Sequence, residues 1–248
     1  MKAQHSENTA KVEQEKLNKP NSDAFQSSAQ SDVSQRADEN ISRASENQKI
    51  QNNIDEVHWP AGQHLEKQEF EVGQYRTALP FCQEACNLND GIGCNILGLF
   101  YSHGYVVSKD YLQAKTYYEK ACKLNNGNGC TKLGFFYSHK QDHQQAKTCY
   151  EKGCKLNEGS GCGNLGYLYE IGQGVRQDYK RAKTYYEKAC NLHYVLACGS
   201  LGDFYKSGRG VKQNFQTAKE YYGKACDLGG AWSLESCDAY KELNEKGY

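Results

Sequence analysis

Apolar residues recur at helical spacing from Trp59 onward, in segments of two alternating kinds that are joined by short turns rich in Gly and Asn. One kind carries the pattern Leu-Gly-x-x-Tyr and reads CNILGLFYSHG in its first copy. The other kind begins at Asp or Asn, which are favourable N-caps, and reads DYLQAKTYYEKAC in its first copy. The pattern predicts four pairs of helices, called A and B in that order, and an all-α fold.

The pattern weakens at both ends of this array. The segment HLEKQEFEVGQYRTALPFCQEAC predicts a degenerate first unit, whose A helix lacks Leu-Gly and ends in a short turn at Val72-Gly73. The segment SLESCDAYKELNEKGY predicts a final helix whose charged outer face suits a capping element. Residues 1–57 are almost wholly polar and cannot bury enough apolar surface to offset the entropy of ordering. We therefore expect a disordered tail over 1–57 and a repeat domain over 58–248.

One cysteine per unit marks the length of the repeat, at Cys86, Cys122, Cys154, Cys190 and Cys226. The step is 36 residues, with one shorter step of 32 between Cys122 and Cys154. A fixed period of this size is the signature of a repeat protein. The shorter unit lacks four residues between its two helices, where other units carry a Gly-containing loop such as GQGVRQD.

A glycine recurs inside every predicted A helix, at Gly98, Gly134, Gly166 and Gly202. Glycine inside a helix costs about 1 kcal/mol relative to alanine, so its recurrence predicts a packing reason. We expect the backbone of a neighbouring helix to pass too close for a side chain. Small residues that recur in helix B, such as Ala114, would supply the facing surface.

The cysteines also form pairs with the spacing C-x7-C. Eight residues along one helix separate two Cα atoms by about 12 Å, whereas a disulfide requires about 4.4–6.8 Å. A pair can therefore bond only where the chain reverses, and Asn/Gly-rich segments such as KLNNGNG would allow this. Small buried thiols are the alternative, and a zinc site is a weaker one because structural zinc favours shorter ligand gaps. The pairs are Cys86/Cys94, Cys122/Cys130, Cys154/Cys162 and Cys190/Cys198, with Cys226/Cys237 as a fifth and longer pair.

Cysteine usage and charge limit the compartments and partners that we expect for the chain. All 12 cysteines lie beyond residue 81, and such dense, periodic use points to an oxidising compartment, the periplasm or the cell exterior. The first 20 residues contain no apolar core of a signal peptide, which disagrees with that compartment. The 30 Lys and Arg balance the 30 Asp and Glu, so nothing favours nucleic acid or an anionic membrane. No stretch approaches the about 20 apolar residues of a membrane span.

The motifs LGxxY in helix A, GxGV in the loop and AxxYYxKAC in helix B resemble the Sel1-like repeat, a branch of the tetratricopeptide superfamily. With C-x7-C added, the chain resembles the cysteine-rich secreted repeat proteins of the Helicobacter type over residues 75–248. The resemblance implies a right-handed αα solenoid, disulfides within the C-x7-C pairs and a secreted or periplasmic bacterial protein. It also implies recognition of a protein or peptide, and several members carry a penicillin-binding or β-lactamase label.

The residues themselves give no support to catalysis. The Ser-x-x-Lys, Ser-Asp-Asn and Lys-Thr-Gly elements of serine β-lactamases do not occur in the sequence. His139 and His143 flank a turn and lack further metal ligands, so we expect surface histidines and neither a metal nor a cofactor. Cys82 and Cys149 remain outside the pairs and are expected to be buried free thiols.

A variable strip on the A helices is the candidate binding site. Stacked repeats generate an extended concave surface, and by analogy with tetratricopeptide packing the A helices line it. Framework positions repeat from unit to unit while the inward positions vary, as a recognition surface on a constant frame would. The predicted strip comprises Asn95, Leu99, His103, Thr131, Phe135, His139, Tyr167, Glu170, Asp203 and Lys206. An ordinary solvated face is the alternative.

The sequence therefore favours a non-catalytic scaffold that binds a protein or peptide partner through the concave face. The alternative, which rests on the resemblance alone, is a β-lactam-binding protein with weak hydrolase activity. A third hypothesis is a redox-linked assembly factor, which would require Cys82 or Cys149 to be accessible.

Overall fold

A computed structural model describes residues 68–248, with side chains from Tyr75 onward except that of Ala231. The tail predicted for residues 1–57 lies outside the described residues. The described chain forms ten α-helices and one 3-10 turn at Ala231–Ser233, and it contains no strand. The helices are α1 Gln68–Asn87, α2 Gly91–His103, α3 Tyr111–Lys123, α4 Gly127–His139, α5 His143–Lys155, α6 Gly159–Ile171, α7 Tyr179–Asn191, α8 Val195–Ser207, α9 Phe215–Leu228 and α10 Leu234–Glu245.

The helices form a solenoid of A–B pairs, which confirms the predicted fold class. Helices α2, α4, α6 and α8 are the A helices, and α3, α5, α7 and α9 are the B helices that follow them. Each helix packs against the next one in the chain, and successive A helices from α2 to α6 are also in contact. Within the described residues no helix is long and apolar enough to cross a membrane.

The degenerate first unit differs from its prediction in one respect. The prediction of a short turn at Val72-Gly73 is wrong, because α1 runs without interruption from Gln68 to Asn87. A single glycine costs a helix only about 1 kcal/mol, which the rest of a 20-residue helix offsets. The described part of this unit is therefore one long helix that covers α2.

The turns that connect helix B to the next helix A have a local cause. In each C-x7-C pair, the third residue after the first cysteine has a positive φ of about 60°, in the left-handed region. Examples are 65° at Asn89 and 61° at Asn125. Asparagine tolerates this region better than other residues with a side chain. In the first two of these turns the next residue also caps helix A: Asp90 Oδ1 accepts hydrogen bonds from the amides of Ile92 and Gly93, and Asn126 Oδ1 accepts one from Gly129. The reversal of the chain is thus encoded within three residues.

This reversal brings the two cysteines of each C-x7-C pair together. All five predicted pairs are disulfides. Their Cα–Cα distances are 4.6 Å in Cys86–Cys94, 4.4 Å in Cys122–Cys130, 4.5 Å in Cys154–Cys162, and 4.8 Å in both Cys190–Cys198 and Cys226–Cys237. Four of the bridges join the end of a B helix to the start of the following A helix. Each bridge therefore fastens one repeat to the next.

The second cysteine of each C-x7-C bridge lies in the core and adds nothing to the accessible surface. The four residues that share this position are each 0 % exposed: Cys94, Cys130, Cys162 and Cys198. The alternative of small buried thiols is therefore right about burial, whereas the sulfur atoms are bonded and not free. Because a buried sulfur cannot contact a partner, Cys94 and its equivalents are structural residues and not part of a binding surface.

A lysine near the end of helix B makes a second link between repeats, which the sequence analysis missed. Its ammonium group donates to the carbonyl oxygen of the first bridge cysteine of the preceding repeat. The distances are 2.5 Å from Lys120 to Cys86, 2.6 Å from Lys152 to Cys122 and 2.7 Å from Lys188 to Cys154. The same carbonyl group also accepts from a backbone amide in the turn, as that of Cys86 does from Asn89, so the lysine is a second donor, placed where a cation complements the C-terminal end of the helix dipole.

The recurring glycine of helix A packs against a ring and not against a helix backbone. A Cβ atom on Gly98 would lie 2.5 Å from Cε1 of Tyr118, and one on Gly202 would lie 2.5 Å from Cε1 of Tyr222. The predicted packing reason is correct, but its assignment to a neighbouring backbone is wrong. The tyrosine ring of helix B occupies the space that the missing side chain leaves.

Candidate binding face

The predicted strip falls on successive A helices, and nine of its ten residues keep some exposure. His103, Phe135, His139, Tyr167 and Asp203 are exposed, whereas Asn95, Leu99, Glu170 and Lys206 are half-buried. The structure gathers six of the ten into two grooves. One groove contains His103, Phe135 and His139, and the other contains Tyr167, Asp203 and Lys206.

Thr131 is the exception, and its place on the strip is corrected. The side chain is 1 % exposed, and its hydroxyl donates to the carbonyl oxygen of Gly127 at 3.1 Å. A Cβ atom on Gly153 would lie 2.7 Å from Thr131 Oγ1, and one on Gly161 would lie 2.8 Å from it. Two glycines on neighbouring helices thus make room for Thr131 in the core. The strip is interrupted there.

The C-terminal groove has a volume of about 520 Å³ and lies between α6, α8 and α10. Tyr167 is 52 % exposed in it, and Trp232 is 70 % exposed at its edge. Leu196 adds a third apolar side chain, and Glu235 adds a carboxylate. The sequence analysis missed Trp232, because this residue belongs to the 3-10 turn and not to the repeat pattern.

Tyrosines of the B helices fix the acidic residues of the strip from below. Tyr186 Oη donates to Glu170 Oε2 at 2.6 Å, and Tyr222 Oη donates to Asp203 Oδ1 at 2.6 Å. Burial, and then these hydrogen bonds, raises the pKa of both tyrosines well above its ordinary value, so they act as donors throughout the neutral range. These are the rings that lie on the A-helix glycines, so one side chain packs the repeat and orients the strip.

Two ion pairs complete this arrangement on the strip. Arg209 lies 2.7 Å from Glu170, which is the more buried partner, and Lys206 lies 3.1 Å from Glu242. Because the partners come from different helices or loops, each pair connects two units of the solenoid. The charged groups of the strip are therefore held in place before any ligand binds.

The N-terminal groove has a volume of about 670 Å³ and a different character. It combines aromatic rings with basic side chains. Its lining includes Phe135, Phe136, Tyr111, His103, His139, Lys109, Lys132 and Lys140.

The leftover cysteines are not accessible nucleophiles. Cys82 is 0 % exposed and Cys149 is 8 % exposed. Burial raises the pKa of Cys82 to about 12, and burial together with Glu119 raises that of Cys149 to about 11. Both thiols are therefore protonated at neutral pH, and only the thiolate attacks disulfides. The redox hypothesis required an accessible thiol, which this structure does not provide.

The two histidines that flank the short turn do not form a metal site. His143 Nε2 lies 2.9 Å from the side-chain amide nitrogen of Gln173 in the following repeat, while His139 belongs to the N-terminal groove. Among the described residues there is no group of three or more His, Cys, Asp or Glu that could hold a metal ion. His143 therefore serves packing between repeats.

Comparison with known proteins agrees with this architecture. The model of the Sel1 repeat matches residues 91–126, 160–194 and 195–230, and the model of the tetratricopeptide repeat matches residues 127–160. The match to the tetratricopeptide repeat covers the short unit. This unit differs from its neighbours in the shorter turn between its two helices. No curated protein matches the chain.

Three solved structures illustrate the similarity. A Sel1 repeat protein from Oxalobacter formigenes is 22% identical, with 72% of this chain and 84% of that chain covered and a TM-score of 0.60. The protective antigen c5321 of uropathogenic Escherichia coli is 23% identical, with 69% and 37% covered and a TM-score of 0.62. These two show the fold. Cysteine-rich protein B of Helicobacter pylori is 39% identical, with 52% and 94% covered and a TM-score of 0.42.

The repeat models together match residues 91–230 without a gap, which is more than half of the chain. Their boundaries follow the helix pairs and the C-x7-C bridges of the structure. The chain is thus built of Sel1 repeats, with one unit among them that matches the tetratricopeptide repeat.

Proposed function

We propose that this protein is a disulfide-stabilised scaffold that binds a protein or peptide partner along its A-helix face, outside the cytoplasm. The observation that carries the proposal is the C-terminal groove, where Tyr167 and Trp232 expose large aromatic surfaces beside Asp203 and Lys206. Exposed aromatic residues next to fixed polar groups are typical of interfaces that anchor a partner. Five disulfides support the location, because such bonds persist in oxidising compartments.

A second feature supports binding over a plain solvated surface. The strip charges are fixed by Tyr186, Tyr222 and Arg209, so a ligand would not have to order them. Fixing a recognition surface in advance reduces the entropic cost of association.

The test is a selection of displayed random peptides on the purified protein, followed by affinity measurements on variants. Tyr167→Asp and Trp232→Asp change exposed side chains and should leave the fold intact, while weakening binding of the selected peptides by about tenfold or more. Lys155→Asp, at an exposed position outside both grooves, is the matched control. Peptides that bind equally to all three variants would contradict the proposed face.

Weak β-lactamase activity, the alternative implied by the resemblance, is tested with the same preparation. A chromogenic cephalosporin should not be hydrolysed above the background rate. Turnover that a single substitution abolishes would contradict a pure scaffold. No contact in the described residues favours this alternative.

A further inference from the structure

The second repeat is short because its A–B loop lacks four residues, and this loop does not cover the residue that the equivalent loops cover elsewhere in the solenoid. The first residue of each helix B and its counterpart within α1 occupy equivalent positions along the array, at Tyr75, Tyr111, His143, Tyr179 and Phe215. In a regular repeat this residue is covered by the A–B loop of the following repeat. Because the second repeat lacks four residues in that loop, nothing from α4 or α5 reaches over Tyr111 in the same way.

The equivalent positions show what normally lies there. The Tyr105 ring stacks on Tyr75 at 4.8 Å, and Tyr75 is only 5 % exposed. The loop glycine Gly174 passes so close to His143 that an added Cβ would lie 2.6 Å from His143 Cβ. The following residue, Val175, packs against the core.

The last two positions repeat this arrangement. Gly210 approaches Tyr179 as Gly174 approaches His143, and Val211 packs against the same core. At the end of the array the Tyr248 ring lies 4.7 Å from that of Phe215. An aromatic ring or a glycine followed by valine thus covers each of these residues.

Tyr111 differs from its equivalents in the expected way. It is 57 % exposed, and the contact to its ring comes from Lys109 Nζ at 5.0 Å. The next residue, Leu112, is 73 % exposed. The equivalent second position is polar in α1 and in every other helix B: Arg76, Gln144, Lys180 and Gln216. The chain is therefore more apolar where the covering loop is missing. We call the exposed surface of Tyr111 and Leu112 the Tyr111 slot.

The rim of this place carries positive charge. The groove that contains Tyr111 is lined by Lys109, Lys132 and Lys140, and its described lining includes no Asp or Glu. Within the described part of the chain, none of these lysines forms an ion pair with a carboxylate. The whole chain has a formal net charge of zero, so the positive rim is a local feature.

We propose that the Tyr111 slot binds an extended acidic peptide segment of the partner, which places a valine-sized side chain against Tyr111 and carboxylates near Lys132 and Lys140. The partner would supply in trans what the missing loop supplies in every other repeat. The inference rests on the proposed function and gives the chemistry of the partner at the N-terminal groove, to which His103, Phe135 and His139 also belong. Opposite charges across such a rim select the partner and favour its approach.

The test uses a fluorescein-labelled synthetic peptide, Glu-Asp-Gly-Gln-Gly-Val-Glu-Asp, in which the residue 172–175 sequence is flanked by acidic pairs. A second peptide replaces the four acidic residues by lysine. Fluorescence anisotropy should show binding of the acidic peptide that is about tenfold or more tighter than that of the lysine peptide and that weakens with salt. Equal affinity for both peptides, or no binding of the acidic one, would overturn the proposal.

A loop graft then tests the position of the site. Replacing Lys140-Gln141 by Gly-Gln-Gly-Val-Arg-Gln, the sequence of residues 172–177, restores the regular repeat length and should cover Tyr111. The graft should reduce binding of the acidic peptide by about tenfold or more. The same graft with asparagine in place of its valine is the control: it has also lost Lys140, but its loop lacks the apolar side chain that would seat on Tyr111, so it should bind the acidic peptide more tightly than the valine graft does.

Since the graft also removes Lys140, Lys132→Glu serves as an independent variant, which should weaken the acidic peptide and strengthen the lysine peptide. Unchanged affinities in the graft and in Lys132→Glu would place the peptide elsewhere and overturn the proposal.

Light scattering on the wild type and the graft adds one more outcome. A dimer that the graft abolishes would mean that a second copy of the chain covers the slot, which also overturns the proposal. If library peptides bind at Tyr167 while the acidic peptide fails, the scaffold function stands and this inference falls.

Discussion

Thr131 occupies the space of a side chain that Gly153 lacks. The Thr131 hydroxyl oxygen lies 2.7 Å from the point where the Cβ atom of an alanine at position 153 would be. The other complete repeats carry alanine there, as at Ala121 and Ala189, and none of them has threonine at the position of Thr131. Two irregularities of the sequence, one on helix α4 and one on helix α5, are therefore a single packing solution.

This pair predicts a strong coupling between two substitutions. Gly153→Ala should destabilise the protein by about 1–3 kcal/mol because the new methyl group overlaps Thr131. In a Thr131→Ala background the same change should be neutral or stabilising, since alanine favours a helix over glycine by about 1 kcal/mol. Urea unfolding of the four proteins in a double-mutant cycle measures the coupling, and additive effects would contradict the interpretation.

The A-helix glycines should resist substitution even by alanine. Gly202→Ala places a Cβ atom 2.5 Å from the buried ring of Tyr222, so we expect a loss of about 2–3 kcal/mol in the free energy of unfolding. Gly223→Ala is the matched control inside α9. Its Cβ would meet the half-exposed Tyr240 ring at 3.2 Å, and the helix preference for alanine should dominate. Thermal unfolding should shift in opposite directions for the two variants.

The lysine bonds between repeats should contribute to stability as charge-assisted second hydrogen bonds to carbonyl groups that already accept a backbone amide. Lys152→Met keeps the aliphatic stem but removes the donor to Cys122 O, and the expected cost is about 1 kcal/mol. The corresponding Lys224 lies over the ring of Tyr221 at 5.1 Å, so Lys224→Met provides a comparison in the last repeat. Equal losses for the two variants in chemical unfolding would argue against the carbonyl bond.

The disulfides should account for ten of the twelve cysteines in natively isolated protein. Intact mass with and without reduction should show five bridges, and a thiol reagent should label Cys82 and Cys149 only after denaturation. Replacing Cys154 and Cys162 together by alanine should cost about 2–3 kcal/mol, the chain-entropy value for a closed loop of nine residues. Twelve thiols alkylated in native protein would contradict both the bridges and the oxidising compartment.

The buried tyrosines predict a loss of stability at alkaline pH. Burial raises the pKa of Tyr150, Tyr186 and Tyr222 in the folded protein above the value of about 10 expected in the unfolded chain. Below about pH 10 these hydroxyls are protonated in both states, and their contribution is complete. At higher pH the unfolded chain releases its protons first, so the free energy of unfolding falls.

Urea unfolding between about pH 8 and pH 11 measures this loss, and Tyr186→Phe should make the decline shallower. Tyrosine absorbance should show a fraction of rings that ionise only on unfolding. A single ionisation midpoint for every tyrosine of the folded protein would contradict the role assigned to these hydroxyls.

Much of the fold could be predicted from local signals. Asp90 and Asn126 cap A helices, Asn89 and its equivalents favour the left-handed turn, and the fixed cysteine step marks each unit. These signals act over a few residues, so they are legible in one chain. The turn expected at Val72-Gly73 failed for the converse reason: one glycine is a weak local signal, and the length of α1 outweighs it.

The binding face could be predicted only in part, because helical phase alone does not decide burial. Phe135 and Thr131 are four residues apart, so helical periodicity predicts that they share one face of α4. Phe135 remains 38 % exposed, whereas Thr131 is drawn into the core by glycines at positions 153 and 161 on two other helices. Trp232 shows the same limit, since its exposure beside Tyr167 depends on how the capping helix α10 closes the array.

The sequence by itself determined the period, the helix pairs, the spacing of the cysteines and the missing loop of the second repeat, because each is a local or periodic feature of the chain. Tertiary structure decided what lies on the A-helix glycines, which lysine donates a second hydrogen bond to the carbonyl groups of Cys86, Cys122 and Cys154, and that Tyr111 is left uncovered. These contacts join residues one repeat or a helix–helix packing distance apart. Their partners are fixed only when the repeats stack.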